Sequence, residues 1–172
     1  MKKINSAFTL PCGAIIKNRI AKSAMSENMG TLLNAPTKTL INAYRVWAKG
    51  NPGLLITGNV MIDRRAIGEP RNIVVEDYNH FDLLKAWAKT VEGTALHLWP
   101  QLNHPGRQAF RAINREVVAP SDVPLKMGVV SKMFKRARPL TEEEILDIIK
   151  RFGHSAKIMQ EAGFTGCQIH GA

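Results

Sequence analysis

No run of eighteen apolar residues occurs in the 172-residue chain, although 45% of it is apolar, so no segment reads as a transmembrane helix. Met1-Lys2-Lys3 carries the charge of a secretory leader's first residues. Asn5, Ser6 and Thr9, however, interrupt the apolar stretch that a leader needs next. Cysteine is nearly absent. Cys12 and Cys167 are too few for a disulfide scaffold and point to a reducing compartment, the cytoplasm. The chain also lacks a P-loop, a G-x-G-x-x-G fingerprint, a G-x-S-x-G elbow, and metal signatures of the C-x-x-C or H-E-x-x-H kind. No metal site is expected, and a nicotinamide cofactor would not sit on a Rossmann domain of this chain.

Acidic residues are outnumbered: 14 Asp and Glu stand against 24 Lys and Arg, a formal charge of +10. The excess concentrates between Arg107 and Arg138. There Arg107, Arg111, Arg115, Lys126, Lys132, Lys135, Arg136 and Arg138 face only Glu116 and Asp122, a net of +6. Such a patch can meet nucleic acid, an anionic cofactor or an acidic protein. No nucleic-acid motif is present and no run of stacking aromatics interleaves with the charges, so a solvated loop is the favoured reading. A basic nucleic-acid-associated domain is the competing one.

What is present is a repeated strand-helix unit. Residues 1–18 form an irregular lead-in, punctuated by Pro11 and Gly13, that suits a hairpin capping one end of the domain. Arg19 to Met25 is expected to be the first strand, with the small residues Ser23 and Ala24 permitting close approach of something to its end. Thr37 is placed to cap a helix carrying Leu40, Ile41, Tyr44 and Trp47, which Gly50 and Pro52 end. Gly53 to Gly58 is a short apolar run without alternation, as in a strand buried on both faces. Met61 to Val75 is expected to be a loop with a brief extended piece at Ile73–Val75, followed by a helix over 79–91.

Ala95 to Leu102 is the third expected strand, with Pro100 as a defect inside it. A long basic connection covers 103–139 and should contain small elements of its own. Thr141 and Glu144 form a capping-box pattern ahead of a helix whose stripe would be Ile145, Ile148, Ile149, Phe152, Ala156 and Met159. Gly163 closes that helix. Cys167-Gln168-Ile169 is a last strand, and His170 falls at its carboxyl end, where parallel α/β proteins place their chemistry. The order β-α-β-α-β-α-β fits either an open doubly wound sheet or the first half of a (β/α) barrel.

Three segments carry a more specific signal: Lys17 to Glu27, Gln101 to Gln108, and Ala162 through Gln168-Ile169-His170-Gly171-Ala172. Together they resemble the old yellow enzyme family of FMN-dependent oxidoreductases. Gly53 to Val60 and Val118 to Asp122 fit the same pattern, in the family's order and over nearly the whole chain. The resemblance implies an α/β fold, the first four units of a (β/α)8 TIM barrel after an N-terminal lead-in, spanning 1–172. It implies FMN at the carboxyl ends of the strands, hydride from NADH or NADPH, and an activated alkene as substrate.

Residue by residue, the resemblance puts Ala24 and Met25 against the flavin and a Ser26 hydroxyl near flavin O4. It puts Asn59 beside the ring and the Gln101 amide on the pyrimidine edge. His170 becomes the first member of a His-x-x-His/Asn pair that donates to the substrate's carbonyl or nitro oxygen. Outside the motif, His104 and Arg107 read as structural, Gly58 and Gly106 as turn residues, Trp47, Trp87 and Trp99 as core, and Cys167 as buried and inert.

The pattern also departs from the family. Gln168 stands where Glu is usual. The pair's second member, the tyrosine proton donor and the late phosphate loops are not in the sequence. Four barrel strands leave two open edges and an uncovered apolar face. The expectation is a fragment that alone binds FMN weakly or not at all and turns over negligibly, completed by a C-terminal half-barrel or a second copy. The alternative is a non-catalytic remnant that pairs through its edges.

Overall fold

The computed structural model describes residues 3–171; the leader-like Met1-Lys2 and the motif's final Ala172 lie outside the described residues. The lead-in is the expected hairpin: β1 (Phe8–Thr9) pairs antiparallel with β2 (Ile15–Ile16). It covers the amino end of the main sheet, where the His97 ring lies 3.1 Å from the Ile15 carbonyl oxygen.

The chain then builds β3 (Ala21–Lys22), α1 (Lys38–Lys49), β4 (Leu54–Met61), β5 (Ile73–Val74), α2 (Phe81–Ala88) and β6 (His97–Asn103). A two-strand excursion, β7 (Val118–Ala119) and β8 (Arg138–Pro139), precedes α3 (Glu142–Ala162) and β9 (Gln168–Ile169). The main sheet runs β3-β4-β6-β9, every pairing parallel, with β5 added beside β4. Along the path β3-β4-β6-β9 each strand is therefore the spatial neighbour of the one before it. A doubly wound sheet must reverse direction at a switch point; this order does not, and it is that of consecutive barrel strands.

The helices bury one face of this sheet. Leu40, Ile41 and Tyr44 of α1, Leu84 and Trp87 of α2, and Ile158, Met159 and Ala162 of α3 meet Leu55 and Val60 of β4 and Leu98 and Leu102 of β6. Leu55 and Val60 are five residues apart yet share that face. Strict alternation forbids this, so β4 must contain one extra residue. The register indeed shifts between Ile56 and Asn59. Pro100 sits opposite the shift, so its missing N–H falls where the ladder is already interrupted. The Thr57 hydroxyl takes over, accepting the Gln101 N–H at 3.0 Å. The proline that looked like a defect is accommodated by a bulge in its neighbour.

Several boundaries differ from the sequence reading. The first strand is only Ala21–Lys22, and Ala24 and Met25 lie beyond it. β4 runs on to Met61. The 79–91 helix starts at Phe81, because Asp77 caps the Asn79 N–H at 2.8 Å and His80 takes a left-handed φ of 61°. Its last turn, Lys89–Val91, is a 3-10 turn. The stripe expected on α3 is fully buried only at its carboxyl end, with Ile148, Phe152 and Ala156 half-buried against the core. Met159 is buried and Ile149 is 60% exposed. The reason is that α2 and β6 lie under the late turns of α3, while β9 is just two residues long.

The capping box is formed as expected: the Thr141 hydroxyl accepts from the Glu144 N–H, and the Glu144 carboxylate from the Thr141 N–H at 2.8 Å. Gly163 closes α3 at φ 107°, a conformation costly for any residue with a side chain. Thr141→Ala should therefore lose about 1 kcal/mol of stability, and Thr141→Ser almost none. Urea unfolding checks this: the midpoint falls with the slope unchanged.

Candidate active site

The register of the sheet brings three amides into one row. Asn59 of β4 pairs with Gln101 of β6, and Gln101 with Gln168 of β9. Their neighbours Val60 and Leu102 point to the helices, so alternation turns Asn59 and Gln101 to the opposite, inner face. Gln101 Nε2 donates to Gln168 Oε1 at 2.7 Å. Each amide carries both donors and acceptors, so the row keeps capacity for a ligand after this bond. One step along, Asn103 Nδ2 donates to Asn59 Oδ1 at 2.9 Å.

Of the six residues singled out from sequence, Ser26, Asn59, Gln101 and His170 meet at the carboxyl ends of the strands. Ser26 Oγ lies 3.5 Å from Asn59 Nδ2. The His170 N–H donates to the Leu102 carbonyl at 2.9 Å, which carries the β6-β9 ladder past the strand's end and fixes the ring's origin. His170 and Asn59 line one cavity of about 260 Å³, with Asn103, Glu69, Gln108 and the stacked rings of Phe110 and Phe134. One Glu69 carboxylate oxygen there is buried with no hydrogen-bond partner among the described residues. Ala24 is half-buried and Met25 is 55% exposed, both on the segment that leads from β3 to Ser26.

Sequence reasoning passed over a second cluster beneath Ser26. The Glu27 carboxylate accepts the Gly58 N–H at 2.9 and 3.2 Å and the hydroxyl of the fully buried Tyr44. Lys22 Nζ stands 3.8 Å from the same carboxylate, donates to the Ile56 carbonyl at 3.0 Å, and lies 4.6 Å from the centre of the Trp47 ring. Burial pulls the Lys22 ammonium pKa down, and the Glu27 charge opposes that. Burial foremost, then the Glu27 charge, pushes the Tyr44 phenol far above its ordinary range. Gly58 is therefore no turn residue but a strand residue approached closely by another segment. Asn103 was also missed; it follows Gln101 by two, which in a strand means the same face.

Other readings need revision. Trp87 is core as expected, and Trp47 is half-buried, packed against the core beneath Lys22; Trp99 is instead on the inner face, its buried Nε1 unpartnered among the described residues. Cys167 is exposed and precedes β9. The structural reading of His104 needs no revision: its Nδ1 accepts the Gly106 N–H at 3.2 Å, and burial holds its pKa down. In the basic stretch Arg136 pairs with Asp122 at 2.6 Å and Arg138 with both Glu116 at 2.9 Å and Glu144 at 2.8 Å, while Arg107 and Lys135 donate to backbone carbonyls. The Arg138 guanidinium lowers the Glu144 carboxyl pKa to about 2.

Residues 12–172 match the family described as NADH:flavin oxidoreductase / NADH oxidase. The chain is 34% identical to the NADH-dependent flavin oxidoreductase iliE of Hypocrea jecorina, over 96% of this chain and 45% of that protein. It is 34% identical to nadA of Aspergillus parasiticus, an NADH-dependent flavin oxidoreductase, over 90% of this chain and 38% of that one. The old yellow enzyme homologue from Zymomonas mobilis superposes with a TM-score of 0.84 at 22% identity, over 98% of this chain and 48% of that one. The chain thus spans less than half the length of these relatives, and its fold is that of the corresponding part of a TIM barrel.

Tyr44 gives the cluster a pH signature. A phenol whose folded pKa is raised adds stability that is present below the unfolded value of about 10 and is lost as pH climbs beyond it. Titration followed at 295 nm should show Tyr44 ionising only together with unfolding. Ionisation of both tyrosines near pH 10 in a still-folded chain would contradict the cluster.

Proposed function

Because the chain belongs to the NADH:flavin oxidoreductase / NADH oxidase family, we propose that its strand ends form one wall of an FMN site in an enzyme that passes hydride from NADH or NADPH to an activated alkene. The observation that carries this reading is the amide row Asn59-Gln101-Gln168, with Ser26 and His170 at its margin. A flat heteroaromatic ring with alternating donors and acceptors on its edge matches such a row, whereas a metal ion would call for carboxylates or imidazoles in a cluster. FMN supplies the two-electron carrier when bound.

Each residue has a role that its position supports. Gln101, backed by Gln168, meets the pyrimidine edge. Ser26 donates a hydrogen bond near O4, favouring negative charge on the ring. Asn59, held by Asn103, faces the ring from the next strand. Ala24 and Met25 lie along the ring through their backbone and apolar side chains. His170 donates to the substrate oxygen, drawing electron density from the alkene so that its β-carbon accepts hydride. The cavity it shares with Phe110 and Phe134 gives that substrate an apolar wall.

Barrels of this class hold a cofactor phosphate on the loops after the seventh and eighth strands, and none of the elements described above is one of those loops. A polypeptide limited to these 172 residues should bind FMN weakly and reduce alkenes negligibly. Quenching of FMN fluorescence tests this, with and without a second-half barrel fragment of a relative. Saturable binding is expected only with the complement, and there Gln101→Leu should weaken it about 10- to 100-fold, the cost of a lost buried hydrogen bond. Tight binding by the chain alone would overturn the half-site argument; no binding in either case would overturn the flavin reading.

A further inference from the structure

Glu27 carries the densest set of contacts near the site, yet no role in the chemistry needs it. Its side chain is only 10% exposed. Two donors and a cation converge on it: the Gly58 N–H donates at 2.9 and 3.2 Å, the Tyr44 hydroxyl donates, and the Lys22 ammonium stands 3.8 Å away. Each comes from a different element. Lys22 belongs to β3, Tyr44 to α1 and Gly58 to the bulge of β4. The neighbours of these contacts matter as much. Glu27 follows Ser26 in the chain, and Gly58 precedes Asn59. The Glu27–Gly58 bond therefore joins the two segments that present Ser26 and Asn59, whose side chains stand 3.5 Å apart.

We propose that Glu27 is a positioning residue that clamps the Ala24–Ser26 segment onto the bulge of β4, fixing Ser26 against Asn59. The proposal rests on the flavin reading of these strand ends. A carboxylate is suited to the task because it accepts at both oxygens from its two hydrogen-bond partners and its charge suits the nearby Lys22 cation. An amide in its place would turn an NH2 group toward at least one of them. Gly58 is the matching half of the device. A Cβ there would overlap both the Glu27 Oε2 atom and the Met25 carbonyl oxygen, so any side chain at 58 must push the segment away. Lys22 offsets the buried charge, and its own position is set by the Ile56 carbonyl and the Trp47 ring.

The test compares Glu27→Gln, Gly58→Ala and Tyr44→Phe with the parent chain. Hydrogen exchange of the peptide covering residues 23–28 is read without flavin, and the absorption maximum and affinity of FMN are read in the complemented barrel. Glu27→Gln and Gly58→Ala should speed exchange of that peptide at least tenfold while α2 and β6 keep their protection. Both should also shift the flavin band and weaken FMN binding about tenfold; Tyr44→Phe should do the same to a smaller degree. Unchanged exchange at 23–28 in both variants overturns the proposal, as does a uniform loss of protection across the chain, which would mark Glu27 as a stability element only. Failure of the parent barrel to bind FMN would sink the flavin reading instead, and the flavin-free exchange would still decide whether Glu27 holds the segment.

Discussion

The extra residue in β4 is the constraint on which the rest of this molecule depends. Without it, Leu55 and Val60 could not both face the helices, and one of two fully buried side chains would turn inward. Asn59 would then leave the inner face, and the amide row with Gln101 and Gln168 would not exist. The same irregularity accommodates Pro100 and releases the Gly58 N–H from the ladder. A backbone donor released in a buried place must find an acceptor, and Glu27 provides it. One local departure from regular strand geometry thus links core packing, the site's polar row and the segment carrying Ser26.

The two faces of the sheet are built on opposite principles. Toward the helices lie Leu55, Val60, Leu98 and Leu102 with Trp87 and Tyr44, a continuous apolar contact of the kind that drives folding at about 25 cal/mol per Å² buried. Toward the inner face lie Asn59, Gln101, Asn103 and Gln168, which hydrogen-bond in pairs. Such pairs add little net stability, because unfolding returns each amide to water. What they add is direction: each amide fixes its neighbour's rotamer. The chain folds by one face and holds its polar groups in register on the other.

Much of this was legible in the sequence, and the parts that were not share a cause. The capping box at Thr141 and Glu144, the glycine at 163 and the lead-in hairpin depend on residues close in the chain, and each formed where local chemistry placed it. The placement of His170 at a strand end was legible from the strand-helix pattern, while Asn59 and Gln101 were named through the family resemblance. The bulge was not, since Pro100 on one strand and Thr57-Gly58 on another announce it only once the two are paired. The burial of α3 was misjudged for a related reason: a helical stripe records which face is apolar, but not how many turns have a partner beneath them. Glu27 was invisible because its three partners lie on three elements.

That last point bears on how the site is held together. Ser26 is exposed and beyond the end of a two-residue strand, so neither ladder hydrogen bonds nor burial of its own side chain can fix it. The residue after it is different. Glu27 is hydrogen-bonded to a helix tyrosine and a bulge amide beside a strand lysine, and it cannot move without leaving the first two donors unsatisfied, at about 1–3 kcal/mol for each. An exposed hydroxyl next to such an anchor inherits its precision. The arrangement lets the polar atoms at the strand ends stay exposed to a ligand while their positions are determined one residue away, inside the protein.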